Sequence, residues 1–188
     1  MASIETNEGL NIIKQTRKYL YYLETHLENV KQAFQELSEK CSDMPWVYDD
    51  YTWHTLRREI DLHDLSKFSK EEFTQYREYF FPTLEEEREA AHMGVPSTIM
   101  FQNNFDEAWE HHKKHNTHHS ETARTMIDLV HMVIDWTAMG YAFGDTAQEF
   151  YEKNKEKIFL SKDSEIFIYK IFDRLNLEKN KCQPHQVN

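Results

Sequence analysis

The stretch 7–40, NEGLNIIKQTRKYLYYLETHLENVKQAFQELSEK, decides the fold. Leu10, Ile13, Leu20, Leu23, Leu27, Val30, Phe34 and Leu37 recur at spacings near three and four, the pattern of an amphipathic helix. His26 stands three residues after Leu23 and four before Val30. It therefore falls on or beside the buried stripe, where a purely solvent-facing histidine would not be.

The rest of the chain reads the same way. Met44-Pro45-Trp46 interrupts the pattern. A second helix is expected over about residues 51–65, with Trp53, Leu56, Ile60 and His63 on one face. Ser69-Lys70-Glu71-Glu72 has the form of a capping box and predicts a helix ending near Pro82. Thr83-Leu84-Glu85-Glu86 repeats that form and predicts another, stopped by Gly94. Residues 94–104 read as a loop, followed by a helix that carries Phe105, Trp109 and His112 to about Asn116. Ser120 is placed to cap a long apolar helix through Met126, Leu129, Val130, Val133 and Ile134. Thr146-Ala147-Gln148-Glu149 is a third capping box, and Ser164 opens the last helix through Ile168, Phe172 and Leu175. The expectation is an all-α fold, a single-domain bundle of seven or eight helices over residues 7–179, with a disordered tail over 180–188.

Composition agrees and narrows the function. The chain has 188 residues, enough for one domain with a core, and only four Gly and four Pro, little punctuation for a β-rich fold. Twelve Phe, ten Tyr and four Trp are available to fill seams between helices. The net charge is −11 and no basic face is visible, which argues against duplex DNA or long RNA as a partner. An anionic small molecule stays open, because bound metal ions reverse the local sign of a site. Cys41 and Cys182 form neither a metal-ligand spacing nor a disulfide framework. No run approaches the roughly 20 apolar residues of a membrane span, and no signal peptide opens the chain. The expectation is a cytoplasmic protein with no membrane association, whose exposed aromatic faces offer a way to form a homo-oligomer.

The chemistry concentrates on histidines and aspartates. His63-Asp64 closes an apolar helical stretch, Glu59-Ile60-Asp61-Leu62-His63-Asp64. Asp135 falls inside the apolar helix, where a charge is costly unless paired or metal-bound. His26, His63, Asp64 and Asp135 are four donors from three helices, a set able to converge on one metal in a helical bundle. Mixed imidazole and carboxylate donors suit Mn, Fe, Co, Ni or Zn rather than Ca. His131, three after Asp128 and four before Asp135, shares their face as a ligand, a partner of a ligand or a packed polar residue. A second cluster, His111-His112-Lys113-Lys114-His115-Asn116-Thr117-His118-His119, lies between. Of these, His112 is on the side of Phe105 and Trp109, and His118 and His119 stand at the head of the next segment. His111 and His115 read as surface residues beside the lysines.

Ile60-Asp61-Leu62-His63-Asp64-Leu65-Ser66-Lys67 resembles the apolar-His-Asp-apolar-Gly-Lys signature of the HD-domain metal-dependent phosphohydrolase superfamily. Ser66 departs from the usual Gly. The likeness covers about residues 10–140. Phe105-Asp106-Glu107-Ala108-Trp109, Asn116-Thr117-His118-His119 and Asp135-Trp136-Thr137-Ala138-Met139 are similar to phrases in small HD-like proteins of bacteria and phages. The resemblance implies an all-helical HD-type fold and a first metal on His26, His63, Asp64 and Asp135. It implies a second ion on His112 and on His118 or His119, so one or two divalent transition metals in all. Lys67 matches the signature lysine, near substrate phosphate in such sites, against its plainer role as a solvated surface residue. The implied reaction is hydrolysis of a nucleotide or another small phosphoester, with Lys67 neutralising phosphate charge and His115 or His119 protonating the leaving group. Two rivals stand beside it: a di-iron HD-type oxygenase, and a noncatalytic nucleotide-binding or interaction protein.

Overall fold

The computed structural model describes residues 7–181. Among them every regular element is helical: α1 (Glu8–Lys40), α2 (Pro45–Tyr48), α3 (Asp50–Asp61), α4 (Phe73–Phe80), α5 (Leu84–His92), α6 (Ser97–Met100), α7 (Gln102–His115), α8 (Met126–Phe143), α9 (Ala147–Asn154) and α10 (Lys162–Lys181). A single 3-10 turn covers Leu65–Phe68. The all-α class is as expected. The described residues hold ten α-helices rather than seven or eight because two of them, α2 and α6, are four-residue turns that periodicity cannot register. α10 continues to Lys181, so the first two residues of the expected disordered tail are helical. The remainder of that tail, with Cys182 and His185, lies outside the described residues. No helix among the described residues is long and apolar enough to cross a membrane.

The chain divides into two compact units. The first comprises residues up to Thr25 and Asp64–Asn116; the second comprises His26–His63 and residues from Thr117 onward. α1 contributes residues to both.

The first unit is built on aromatic packing. Tyr19, Leu23, Tyr76 and Ala108 are its buried residues, with Tyr22, Phe73, Phe81 and Phe105 against them. The Tyr79 and Phe105 rings stack with centroids 4.2 Å apart, and Tyr76 meets Phe105 edge-on at 5.6 Å. Arg77 is only 6 % exposed and joins α4 to α5 through a two-pronged pair with Glu86, both N–O distances 2.7 Å. Glu86 also accepts from the Thr83 backbone N–H, and Thr83 Oγ1 accepts from Glu86 N–H, so the predicted capping box is present.

The second predicted box in this unit fails. Ser69 does not cap; α4 begins at Phe73, after a turn in which Phe73 N–H donates to Ser69 carbonyl oxygen at 2.9 Å. The physical reason is that the Glu72 carboxylate is occupied elsewhere, by His111 and His112.

In the second unit α8 is the central helix. Leu129, Val130, His131, Met132, Val133, Ile134, Trp136, Thr137 and Ala138 are all buried, so nearly its whole circumference faces protein. It packs with α3, α9 and α10. Val30, Leu37, Trp46, Leu56, Ile168 and Phe172 close the core around it. Its N-cap is Thr125, with a reciprocal Thr125–Asp128 box, rather than Ser120. Asp128 accepts from the backbone N–H groups of Arg124 and Thr125 and from the Thr117 hydroxyl, which ties residues 117–125 down ahead of the helix. The helix predicted to reach residue 65 ends at Asp61. Asp64 then takes a left-handed conformation, φ 56°, the one non-glycine positive φ among the described residues. Asp tolerates that region better than most residues, and it turns the chain sharply after His63.

α8 ends at Phe143, with Gly140 in its last turn and Gly144, φ 85°, as its cap. A Cβ on Gly140 would lie 2.2 Å from the Asp145 carbonyl oxygen, so the backbone of residues 144–146 has room to return only beside a glycine. Gly140→Ala is expected to lower stability by about 1–3 kcal/mol. Urea denaturation followed by circular dichroism reads this directly, and a wild-type midpoint would refute the tight approach.

Candidate functional site

Three donors converge within the second unit. α1 brings His26, the residue after α3 and its turn is His63, and α8 brings Asp135. His26 Nε2 lies 3.0 Å from His63 Nε2 and 3.3 Å from Asp135 Oδ1, and His63 Nε2 lies 3.6 Å from the same oxygen. His26 and His63 are 6 % and 3 % exposed. Metal–nitrogen and metal–oxygen bonds near 2.0–2.2 Å place neighbouring ligand atoms about 3.0–3.5 Å apart in octahedral or tetrahedral shells. The triangle thus has the dimensions of three adjacent corners of such a shell. Burial by itself pushes the Asp135 carboxyl up; the hydrogen bond from His26 and the charges of His63, His26 and His118 outweigh it and hold the group well below the usual carboxylate range. An ionised carboxylate between two imidazoles is a donor set that can hold a divalent cation.

The other nitrogen of His63 is also engaged. His63 Nδ1 is 2.8 Å from Nε2 of His131, which is 3 % exposed and sits one helical turn before Asp135 on α8. This contact sets the His63 ring so that Nε2 faces His26 and Asp135, as the partner of a metal-bound imidazole does. His118 stacks on His63 at 4.5 Å and lies 4.4 Å, ring to ring, from both His131 and His119. His63, His118 and His131 form a second group of three mutually close donors in this unit. Of the roles left open for His131, the structure places it as the partner of His63 Nδ1.

Asp64 belongs to the first unit, with different company. Its Oδ2 pairs with Lys67 Nζ at 2.5 Å, and its Oδ1 is 3.3 Å from His112 Nε2. Behind His112 lies a residue the sequence reading treated only as a cap. Glu72 is fully buried; its Oε1 is 2.7 Å from His111 Nδ1 and its Oε2 is 2.9 Å from His112 Nδ1. Ser66 Oγ and the Asn116 amide each lie 3.2 Å from the same His112 nitrogen, and the amide donates to Ser66 Oγ at 2.8 Å. A carboxylate on Nδ1 fixes the proton there and turns Nε2 toward Asp64. Burial lowers the His112 pKa, but its hydrogen bonds with Asp64 and Glu72 win and raise it. Burial raises the Glu72 pKa, and the hydrogen bonds of His112 and His111 outweigh this and depress it.

Within the second unit the structure brings His26, His63 and Asp135 together, and within the first unit Asp64, Lys67 and His112. Residues 15–174 match a family of unknown function, DUF5662. The chain belongs to that family. No curated protein and no solved structure matches the chain. The DUF5662 match spans every residue of both clusters.

Two proposed proton donors of this DUF5662 chain stand apart from these contacts or at their rim. His115 is exposed, stacked on His111 at 4.0 Å, with Nδ1 on the His111 carbonyl oxygen at 2.8 Å. His119 is half-buried beside His118, and its carbonyl oxygen receives the N–H groups of Thr122 and Ala123. Glu72 and His131 are what the sequence reading missed or left open. No signal in the sequence set Glu72 apart from its neighbour Glu71, and the capping-box pattern disguised its role.

The Glu72–His112 pair predicts a two-sided pH profile in chelator-treated protein. Glu72, with its pKa depressed by folding, contributes stability above the ordinary Glu range and loses it as pH falls through the lowered value. His112, with its pKa raised, contributes fully below the ordinary His range and loses its share as pH rises through the raised value. Glu72→Gln should flatten the acid limb of a stability–pH curve and move the alkaline limb to lower pH. Urea midpoints taken from pH 4 to 9 would show it, and unchanged limbs would contradict the pairing.

Proposed function

We propose that the protein is a divalent-metal-dependent hydrolase of phosphoesters, with a nucleotide or another small phosphoester as substrate. The observation that carries this reading is the His26–His63–Asp135 triangle, whose edges suit a transition-metal shell. The order of those residues, with Asp64 and Lys67 following His63, is the order expected from the HD-type resemblance. That resemblance supplies the reaction class, which a donor triangle alone leaves undefined.

Mn, Fe, Co, Ni or Zn fits two imidazoles and a carboxylate. A metal held there supplies Lewis acidity and an acidified water. The chain supplies the rest. Asp135, ionised across the working pH range, offsets the cation's charge. His131 holds the His63 ring in the orientation that presents Nε2. The resemblance makes Asp64 a further ligand of the metal and puts Lys67 near substrate phosphate; within the first unit these two form an ion pair, and Glu72 sets the tautomer of His112. A proton for the leaving group is assigned to His119, since His115 is bonded along its own helix. The small number of cysteines suits a cytoplasmic setting for this activity.

Metal content decides the reading. Wild-type protein purified without chelator and reconstituted with Mn, Fe, Co, Ni or Zn is expected to retain at least one ion per chain by elemental analysis. His63→Ala and Asp135→Ala should lose it, and their hydrolysis of bis-(p-nitrophenyl) phosphate should drop by about 100-fold or more. Wild-type protein that retains none of the five ions would sink the hydrolase.

A further inference from the structure

In sequence, Leu10, Ile13 and Leu20 read with Leu23 as one buried stripe of α1. In the structure only part of that stripe is covered. Leu10, Ile13, Leu20 and Tyr21 stand 66 %, 48 %, 41 % and 69 % exposed. They share one side of the helix with Arg17 and Glu24, at steps of three and four residues, and all six belong to the first unit. Tyr19, Tyr22 and Leu23 turn the other way, into the aromatic core made with Tyr76 of α4 and Ala108 of α7. Over residues 10–24 the helix is therefore apolar on both sides. A helix of that kind belongs in a protein interior. Single exposed apolar residues are ordinary, but a contiguous strip along one helix marks a contact surface.

The charges on the strip identify what covers it. Arg17 stands one turn before Leu20 and Tyr21, and Glu24 one turn after them. The two are about 10 Å apart along the axis, too far to pair with each other. Neither has an ion-pair partner among the described residues. A second α1 running antiparallel across the first at Leu20 and Tyr21 brings the Arg17 of each copy to the Glu24 of the other. The strip is thus complementary to itself about a two-fold axis, which is what an isologous dimer requires. A parallel arrangement would oppose Arg17 to Arg17 and Glu24 to Glu24, and like charges facing each other across an interface are repulsive. An anionic lipid surface fits less well, because Glu24 lies on the strip and the chain carries a net charge of −11.

We propose that the protein forms a two-fold homodimer through this face of α1. Leu20 and Tyr21 make the crossing, and reciprocal Arg17–Glu24 pairs flank it. The dimer is independent of the metal and phosphoester readings, which use other residues.

Sedimentation equilibrium of the full-length chain over a range of concentrations tests it. Wild type should approach twice the 22.7 kDa of one chain. Arg17→Glu and Glu24→Arg each turn two attractions into two repulsions, and each should raise the dimer Kd by about tenfold or more. Combined in one chain they restore the complementary pattern, and most of the lost affinity should return. Tyr21→Asp should leave a monomer. All of these positions are exposed, so the variants keep the fold, which far-UV circular dichroism checks. Recovery in the double variant separates a pairing role from general damage to the surface. Three results would overturn the proposal: a wild-type chain monomeric at every concentration, a dimer whose Kd none of the single substitutions changes, or a double variant that associates no better than either charge reversal alone.

Discussion

His63 is a buried imidazole with both nitrogens engaged, and the geometry of the second unit is organised around that requirement. A neutral imidazole has one donor and one acceptor, and each needs a partner when water is excluded. Nε2 finds His26 and Asp135, and Nδ1 finds His131. These partners come from α1 and α8, so the positions of both helices relative to the end of α3 are set by polar contacts as well as by the apolar core. His131 and Asp135 occupy one face of α8 one turn apart, while most of the helix between Leu129 and Ala138 is apolar and buried. A helix this hydrophobic can carry a carboxylate only because that carboxylate has two imidazoles to meet.

The first unit solves a similar problem with the charges reversed. There the deeply buried group is a carboxylate, Glu72, and two adjacent histidines close on it. Consecutive residues on a helix point about 100° apart. His111 and His112 therefore reach the two oxygens of one carboxylate from different sides. The price is a lost cap: α4 starts without the Ser69–Glu72 box, and its first turn is set by backbone contacts to Ser69. Arg77 and Glu86 make good part of that loss by pinning α4 to α5.

The sharp turn at Asp64 links these two arrangements along the chain. His63 and Asp64 are neighbours in sequence yet serve different clusters. A helical continuation would have kept both side chains on the α3 surface; the left-handed residue redirects the chain at that peptide. The His63-Asp64 pair stands where the chain passes from one unit to the other.

How much of this was legible depends on the range of the interaction involved. Helix identity, the Thr83–Glu86 and Thr146–Glu149 caps and the placement of His26 on the buried stripe all follow from neighbours within four residues, so the sequence by itself determined them. His26, His63 and Asp135 could be nominated for the same reason: each is a polar residue on an apolar face, and that anomaly is local. Long-range contacts decided the remainder. Glu72 left its cap for histidines about 40 positions away, whereas the Thr125–Asp128 cap that displaced Ser120 is as local as the other boxes. No periodicity records which side chain will win a buried carboxylate. That outcome is settled by desolvation, which acts only once the helices have packed.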